Sequence, residues 1–222
     1  MSLRFLVLPK SKQARNALIS FLAFSMVITS ALTFFVTRIA LRDVVDNFTE
    51  SDGIQTYQPP LPLQNFTLLN QYGEPVTLSD FRGKLALLYF GYTRCPDICP
   101  TTLADFRRTK ILLGDDAQDV NFVFISVDGR RDTPIAVGEF IRNFDDSFIG
   151  LTGEPQTVRA LGEDFGLVFE PLDATDVYGN TLVDHSIRSF VVDRNGQLAA
   201  TFPYGTQPEV MADDLREMLN RG

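Results

Sequence analysis

Short, mostly apolar runs alternate along the chain with longer segments whose apolar positions recur at three- to four-residue spacing. "KLALLYFGY" at 84–92 and "NFVFISV" at 121–127 are of the first kind. A strand apolar on both faces is covered on both faces, so these runs predict buried strands in the middle of a sheet. "TTLADFRRTKILL" at 101–113 is of the second kind, with Leu103, Phe106, Ile111 and Leu113 on one side of a helix. "DTPIAVGEFIRNF" predicts a helix with Asp132 as cap and Pro134 in its first turn. "FIGLT" reads as a strand, "EPQTVRALGEDFG" as a helix, and "TQPEVMADDLREML" as a closing amphipathic helix. "FTLLNQYGEPVTL" forms a hairpin around a Gly-containing turn, and "IRSFVVDRNGQLAATF" a second one turned on Asn195-Gly196. Strands alternating with helices predict an α/β fold. Its mostly parallel central sheet is flanked by helices, with the late hairpin as an antiparallel edge.

The pattern changes at the N-terminus. Residues 17–37, "ALISFLAFSMVITSALTFFVT", are free of charge and mostly apolar, and roughly 20 such residues cross a bilayer core as a helix. Arg4, Lys10, Lys12 and Arg15 precede the run, and Arg38 and Arg42 follow it. The positive-inside rule then keeps 1–16 in the cytoplasm as a tail and puts everything after the 17–37 anchor outside. The simplest location is a bacterial inner membrane crossed once, with the domain in the periplasm. A signal peptide cleaved after Ala31 is the other reading, and it sends the domain to the same side. Residues 38–64 are polar and end in the Pro-rich "YQPPLPL". They read as a linker, which places the folded domain at 65–222.

Charge sharpens this division. The first 42 residues carry six basic groups and no acid, so 14 of the chain's 20 basic residues face all 28 acidic ones in the remainder. A domain that acidic is repelled by phosphates, which argues against nucleic acid as a partner. It attracts metal cations or basic protein surfaces.

Both cysteines fall in one decapeptide, "GYTRCPDICP" at 91–100. It follows a strand ending near Tyr89 and runs into the helix predicted at 101–113. A proline follows each cysteine, and a residue before proline is steered out of the α region. Cys95 and Cys99 are therefore both expected outside regular helix, with Pro100 at the first helical position. The sulfurs would then sit at a helix N-terminus, where exposed amides and the dipole favour thiolate. Open α/β sheets place their sites at this end of the strands. Three readings stay open on the residues alone. A structural disulfide suits a chain outside the cytoplasm, although so short a loop contributes only on the order of 2 kcal/mol. A redox dithiol would be like the CxxC enzymes with one more residue between the thiols. A metal site needs more than two thiolates.

His185 is the sole histidine, in "YGNTLVDHSIRSF" just before a predicted strand. The ordinary reading is a satisfied surface residue. If its loop lies over the cysteine turn, two thiolates and an imidazole form a soft site suited to Cu(I), or to Zn(II) with a fourth ligand. Met1, Met26, Met211 and Met218 lie in the anchor region and the last helix, which argues against a Met-rich copper site. Arg130, Arg131 and Asp132 read as a solvated cap with surface charges, or as a partner contact. Asp97 opposes thiolate formation between the cysteines. Asp184 orients His185 as a hydrogen-bond acceptor or is simply solvated.

"GYTRCPDICP" resembles the signature of the Sco/SenC family, the thioredoxin-like copper proteins of cytochrome c oxidase assembly. "SVDGRRDTP" and "DHSIRSFVVDRNG" are similar to that family's intervening and histidine segments, in the family order. The resemblance spans about Phe66 to Leu219. It implies a thioredoxin-like fold with an N-terminal hairpin, behind a single transmembrane helix. It also puts Cys95, Cys99 and His185 on the family's copper ligands, with Cu(I) as the main cargo and Cu(II) as a second state. The implied function is a metallochaperone, rather than an enzyme, that delivers copper to the binuclear centre of cytochrome c oxidase subunit II. Other copper chaperones or thioredoxin-like reductants would be its further partners. The alternative is a thiol–disulfide oxidoreductase using Cys95 and Cys99 as its redox pair on the oxidase cysteines, or a copper-linked redox sensor. Arg188 stands where thioredoxins usually carry proline, which weighs against that alternative. Gly129 departs from the family's usual proline and is expected to loosen its turn.

Overall fold

The computed structural model describes residues 54–167, the backbone of 170–175 and 181–184, residues 188–221, and scattered residues between 11 and 33. The chain divides into two compact units, Met1–Asp52 and Gly53–Gly222. Most of the expected tail and anchor, 1–16 and 17–37, lies outside the described residues. Those described between 17 and 37 are helical, with Phe21, Leu22, Phe24, Met26 and Ile28 exposed. Among the described residues, no helix is long and apolar enough to cross a membrane.

The second unit is built on one eight-stranded sheet. Its strands are β1 (Gln55–Pro62), β2 (Thr67–Asn70), β3 (Pro75–Thr77), β4 (Leu85–Gly91), β5 (Val120–Ser126), β6 (Ile149–Thr152), β9 (Ser189–Val192) and β10 (Gln197–Phe202). They lie in the order β1-β10-β9-β4-β5-β6-β2-β3. Two further strands, β7 (Glu170–Thr175) and β8 (Thr181–Asp184), pair only with each other. Among the described residues, four α-helices complete the unit: α1 (Ile98–Leu113), α2 (Pro134–Arg142), α3 (Pro155–Asp164) and α4 (Pro208–Arg221).

The buried run 85–91 becomes β4, and every one of its seven residues is buried. Alternation along the strand sends Leu85, Leu87 and Tyr89 into one core with Leu103, Phe106, Met211 and Leu215 of α1 and α4. Ala86, Leu88 and Phe90 enter the opposite core with Val158 and Leu161 of α3 and Leu68 of β2. The N-terminal hairpin forms as expected, β2 against β3 from Thr67↔Thr77 to Leu69↔Pro75. Asn70 Oδ1 accepts from the Tyr72 and Glu74 amides at 2.9 Å each, and Gly73 supplies the positive φ of the turn.

Three expectations need correction. Only β4–β5 and β5–β6 run parallel; the other pairings in the large sheet are antiparallel. The late hairpin is internal rather than an edge, because β9 docks on β4 and β10 is covered by β1. The second half of the expected linker is β1 itself, so the folded unit begins before Asn65. Prolines at 59, 60 and 62 make that segment look like a tether, but an edge strand tolerates their missing donors. A register shift between Thr56 and Leu61 accommodates them. Within α1, Ile111 is 68% exposed. Thr102 and Thr109 take the buried stripe with Leu103, Phe106 and Leu113, and each hydroxyl donates to the carbonyl four residues back.

Candidate metal centre

The cysteine turn leaves the carboxyl end of β4, the strand at the centre of the sheet. Its backbone closes through a bond from the Cys95 amide to the Tyr92 carbonyl at 3.2 Å. The Val127 amide donates to the Gly91 carbonyl at 2.8 Å and ties the same point to the end of β5. Helix α1 begins at Ile98. Cys95 therefore lies outside the helix, as expected, whereas Cys99 lies in the first turn. Pro100 is compatible with that place because first-turn amides have no intrahelical acceptor, so its missing donor costs nothing.

The two sulfurs are inequivalent. Cys95 is partly exposed and Cys99 is wholly buried, and they are not joined in a disulfide. The Cys99 amide, an orphan donor of the first helical turn, points at Cys95 Sγ at 3.4 Å. This is the arrangement in which a helix start stabilises a thiolate. The Cys99 sulfur lies 3.6 Å from the Tyr89 hydroxyl. Its thiol is pushed far above the ordinary value by its hydrogen bond with Cys95, then by burial and by the Cys95 charge. Burial, then the nearby Cys99, pushes the Tyr89 hydroxyl up in turn. A negative charge at Cys99 is therefore costly until a cation arrives to balance it.

Two residues beside the sulfurs escaped the sequence reading. A Cβ at Gly91 would lie 2.8 Å from Cys99 Sγ and 2.9 Å from ring atoms of Tyr89 and Phe124, so only glycine leaves the sulfur its place. Tyr89 was legible in principle, since period-two alternation puts it on the α1 side of β4. A third reading is corrected. Asp132 is not the cap of α2; Thr133 is, accepting from the Ala136 amide at 3.3 Å. Asp132 is instead buried against the cysteine turn. Arg131 pairs with Asp128, Arg130 is exposed, and Asp97 is exposed between the cysteines. Arg188 is half-buried, and its Nη1 donates to Thr201 Oγ1 at 3.3 Å.

His185 lies outside the described residues; the backbone is described up to Asp184 and again from Arg188, which precedes β9. Among the described residues no group of three His, Cys, Asp or Glu side chains is placed to hold a metal. The donors that are described, one sulfur beside a helix-start amide and one buried thiol, suit a soft metal ion.

The SCO1/SenC family model matches residues 55–220, three quarters of the chain. The chain belongs to that family. It is 36% identical over 152 residues to an SCO2-like protein of Rickettsia conorii, covering 68% of this chain and 74% of that protein. Among solved structures of the family, copper-bound ScoI of Bradyrhizobium japonicum has a TM-score of 0.64 and 34% identity, covering 70% of this chain and 98% of that one. Copper-bound yeast Sco1 has a TM-score of 0.67 and 27% identity, covering 73% of this chain and 91% of that one. The thioredoxin-like sheet with its flanking helices is therefore common to this chain and to Sco proteins that hold copper. The turn at Gly129, expected to be loosened, is tight. A Cβ there would lie 1.8 Å from the Gly153 carbonyl oxygen, so a side chain would displace the neighbouring loop.

Proposed function

We propose that this protein is a membrane-anchored chaperone that carries Cu(I) on Cys95, Cys99 and His185 and delivers it to the binuclear copper centre of cytochrome c oxidase subunit II. Family membership supports copper and oxidase assembly as its field of action. The observation that carries the reading is the inequivalent thiol pair, with the Cys99 amide on Cys95 Sγ and a buried Cys99 thiol that resists ionisation. A bound Cu(I) supplies the charge that makes the second thiolate affordable, and uptake releases protons. Cys95 is the sulfur nearer solvent, so an incoming thiolate of the target would reach the ion there, and ligand exchange would pass copper without freeing it. The N-terminus would lie in the cytoplasm, the apolar helical residues between 17 and 37 in the inner membrane, and the folded unit in the periplasm.

The exposure difference also favours a second reading, thiol–disulfide exchange. Cys95 thiolate would attack a target disulfide to give a mixed disulfide. Cys99, after losing its proton, would then displace the target as a dithiol and leave a Cys95–Cys99 disulfide. His185→Ala separates the two, since the imidazole serves copper and not sulfur exchange. In cells carrying this variant at normal protein level and low copper, loss of the binuclear centre, partly restored by added copper, is the expected result. Full oxidase activity under those conditions would overturn the chaperone and favour the reductase.

A further inference from the structure

Asp132 is a charged side chain only 1% exposed, and its hydrogen bonds lead to the cysteine turn. Its Oδ2 accepts from the Thr93 amide at 2.8 Å and from Ser126 Oγ at 2.6 Å, and its Oδ1 accepts from Thr93 Oγ1 at 2.7 Å. The residue itself is fixed from two further segments. Its amide donates to the Asp128 carbonyl at 2.9 Å, and its carbonyl accepts from Thr152 Oγ1 of β6 at 2.7 Å. Thr93 stands two residues before Cys95, inside the turn closed by the Cys95 amide. A chain of contacts thus runs from β5 and β6 through Asp132 and Thr93 to the sulfur that meets the α1 amide.

We infer that Asp132 is a positioning residue for the thiol pair: its carboxylate clasps the Tyr92–Cys95 turn and so holds Cys95 Sγ beside the first turn of α1. Burying a carboxylate is costly, and three hydrogen bonds offset the cost, two from Thr93 in the turn and one from Ser126 at the end of β5. The clasp acts through geometry. Asparagine can reproduce it, with its oxygen in the place of Oδ2 and its NH2 in the place of Oδ1, because the Thr93 hydroxyl rotates to accept. Alanine removes all three bonds and leaves the Thr93 amide without its acceptor.

The inference rests on the copper reading for one of its two tests and stands without it in the other. In the full chain held in detergent, Cu(I) affinity is read by competition with a chromophoric chelator. Asp132→Ala is expected to weaken it about tenfold to a hundredfold, the usual effect of removing a group that orients a ligand, while Asp132→Asn stays close to the wild type. The second readout is the dithiol–disulfide equilibrium of Cys95 and Cys99 in glutathione buffers, which needs no metal. Asp132→Ala is expected to shift it toward the disulfide by about tenfold, the scale of one or two hydrogen bonds. Should Asp132→Ala fail to fold, Thr93→Val, which deletes only the Oδ1 bond, is expected to move both readouts in the same direction by a smaller factor. A folded Asp132→Ala, or Thr93→Val in its place, with wild-type values in both readouts overturns the clasp. So does Asp132→Asn behaving like alanine, which would make charge and not geometry the agent. A wild type that binds no copper overturns the proposed function alone, and the disulfide equilibrium then decides the clasp.

Discussion

A methyl group at position 91 would have to share space with a sulfur and two aromatic rings, all within 3 Å. Gly91→Ala is therefore expected to destabilise the fold by about 1–3 kcal/mol, the cost of overpacking a filled core, and to weaken copper binding by displacing Cys99. Thermal melting and chelator competition on the same sample check both. The thiols offer a second residue-scale expectation. Cys99 is fully buried and its thiol is pushed up by Cys95 and by burial, while Cys95 is partly exposed beside a helix amide. Alkylation of the reduced protein at neutral pH should therefore mark Cys95 first, and peptide mapping that found Cys99 marked first would contradict the asymmetry. The cysteine motif was legible because two thiols, two prolines and a strand-to-helix boundary coincide in ten residues. Asp132 was not, because a charged residue among arginines in a loop reads as solvated. Its burial depends on β5, β6 and the cysteine turn meeting in space.

At the scale of elements, α1 is tied to the segment before β6 by Lys110, whose Nζ donates to Asp145 Oδ1 at 2.7 Å and to Ser147 Oγ at 2.6 Å. Burial alone would push the Asp145 carboxyl up, but the bonds from Lys110 and Ser147 outweigh it and hold the carboxyl below its ordinary value of 3.8. A lowered carboxyl stabilises the fold above its ordinary value, and that contribution is lost as pH falls through the lower, folded value. The pair is 28% and 22% exposed, so up to about 1 kcal/mol is at stake. Lys110→Met should lose this much at neutral pH, and its gap from the wild type should close as pH drops below 3.8. Urea titrations at the two pH values check the difference. Element types were legible wherever apolar spacing was strong, as in β4, β5 and α4. Strand order was not, because pairing of β9 with β4 and of β1 with β10 joins residues a hundred or more positions apart. The strand β1 was hidden by its prolines.

At the scale of the molecule, six basic residues flank an uncharged run, while the remainder of the chain is strongly acidic. The proposed topology puts the folded unit outside the cytoplasm, so a reporter active only there, fused after Gly222, should be active and stay with the membrane fraction. Activity in the soluble fraction would mean that the N-terminal segment is cleaved, and an inactive reporter would contradict the location. The family was legible from three short motifs in order, and the match over 55–220 bears it out. The paired sulfurs, however, gain their meaning from depth: one at the surface beside a helix amide, one in the core beside Tyr89. The central claim is that this pair holds Cu(I), and the most direct test is the copper content of the fully reduced protein after Cu(I) loading and removal of loose metal. The account predicts one copper per chain in the wild type, and almost none in either Cys95→Ser or Cys99→Ser while both variants remain folded. Copper retained at the wild-type level in a folded Cys95→Ser/Cys99→Ser protein would contradict it.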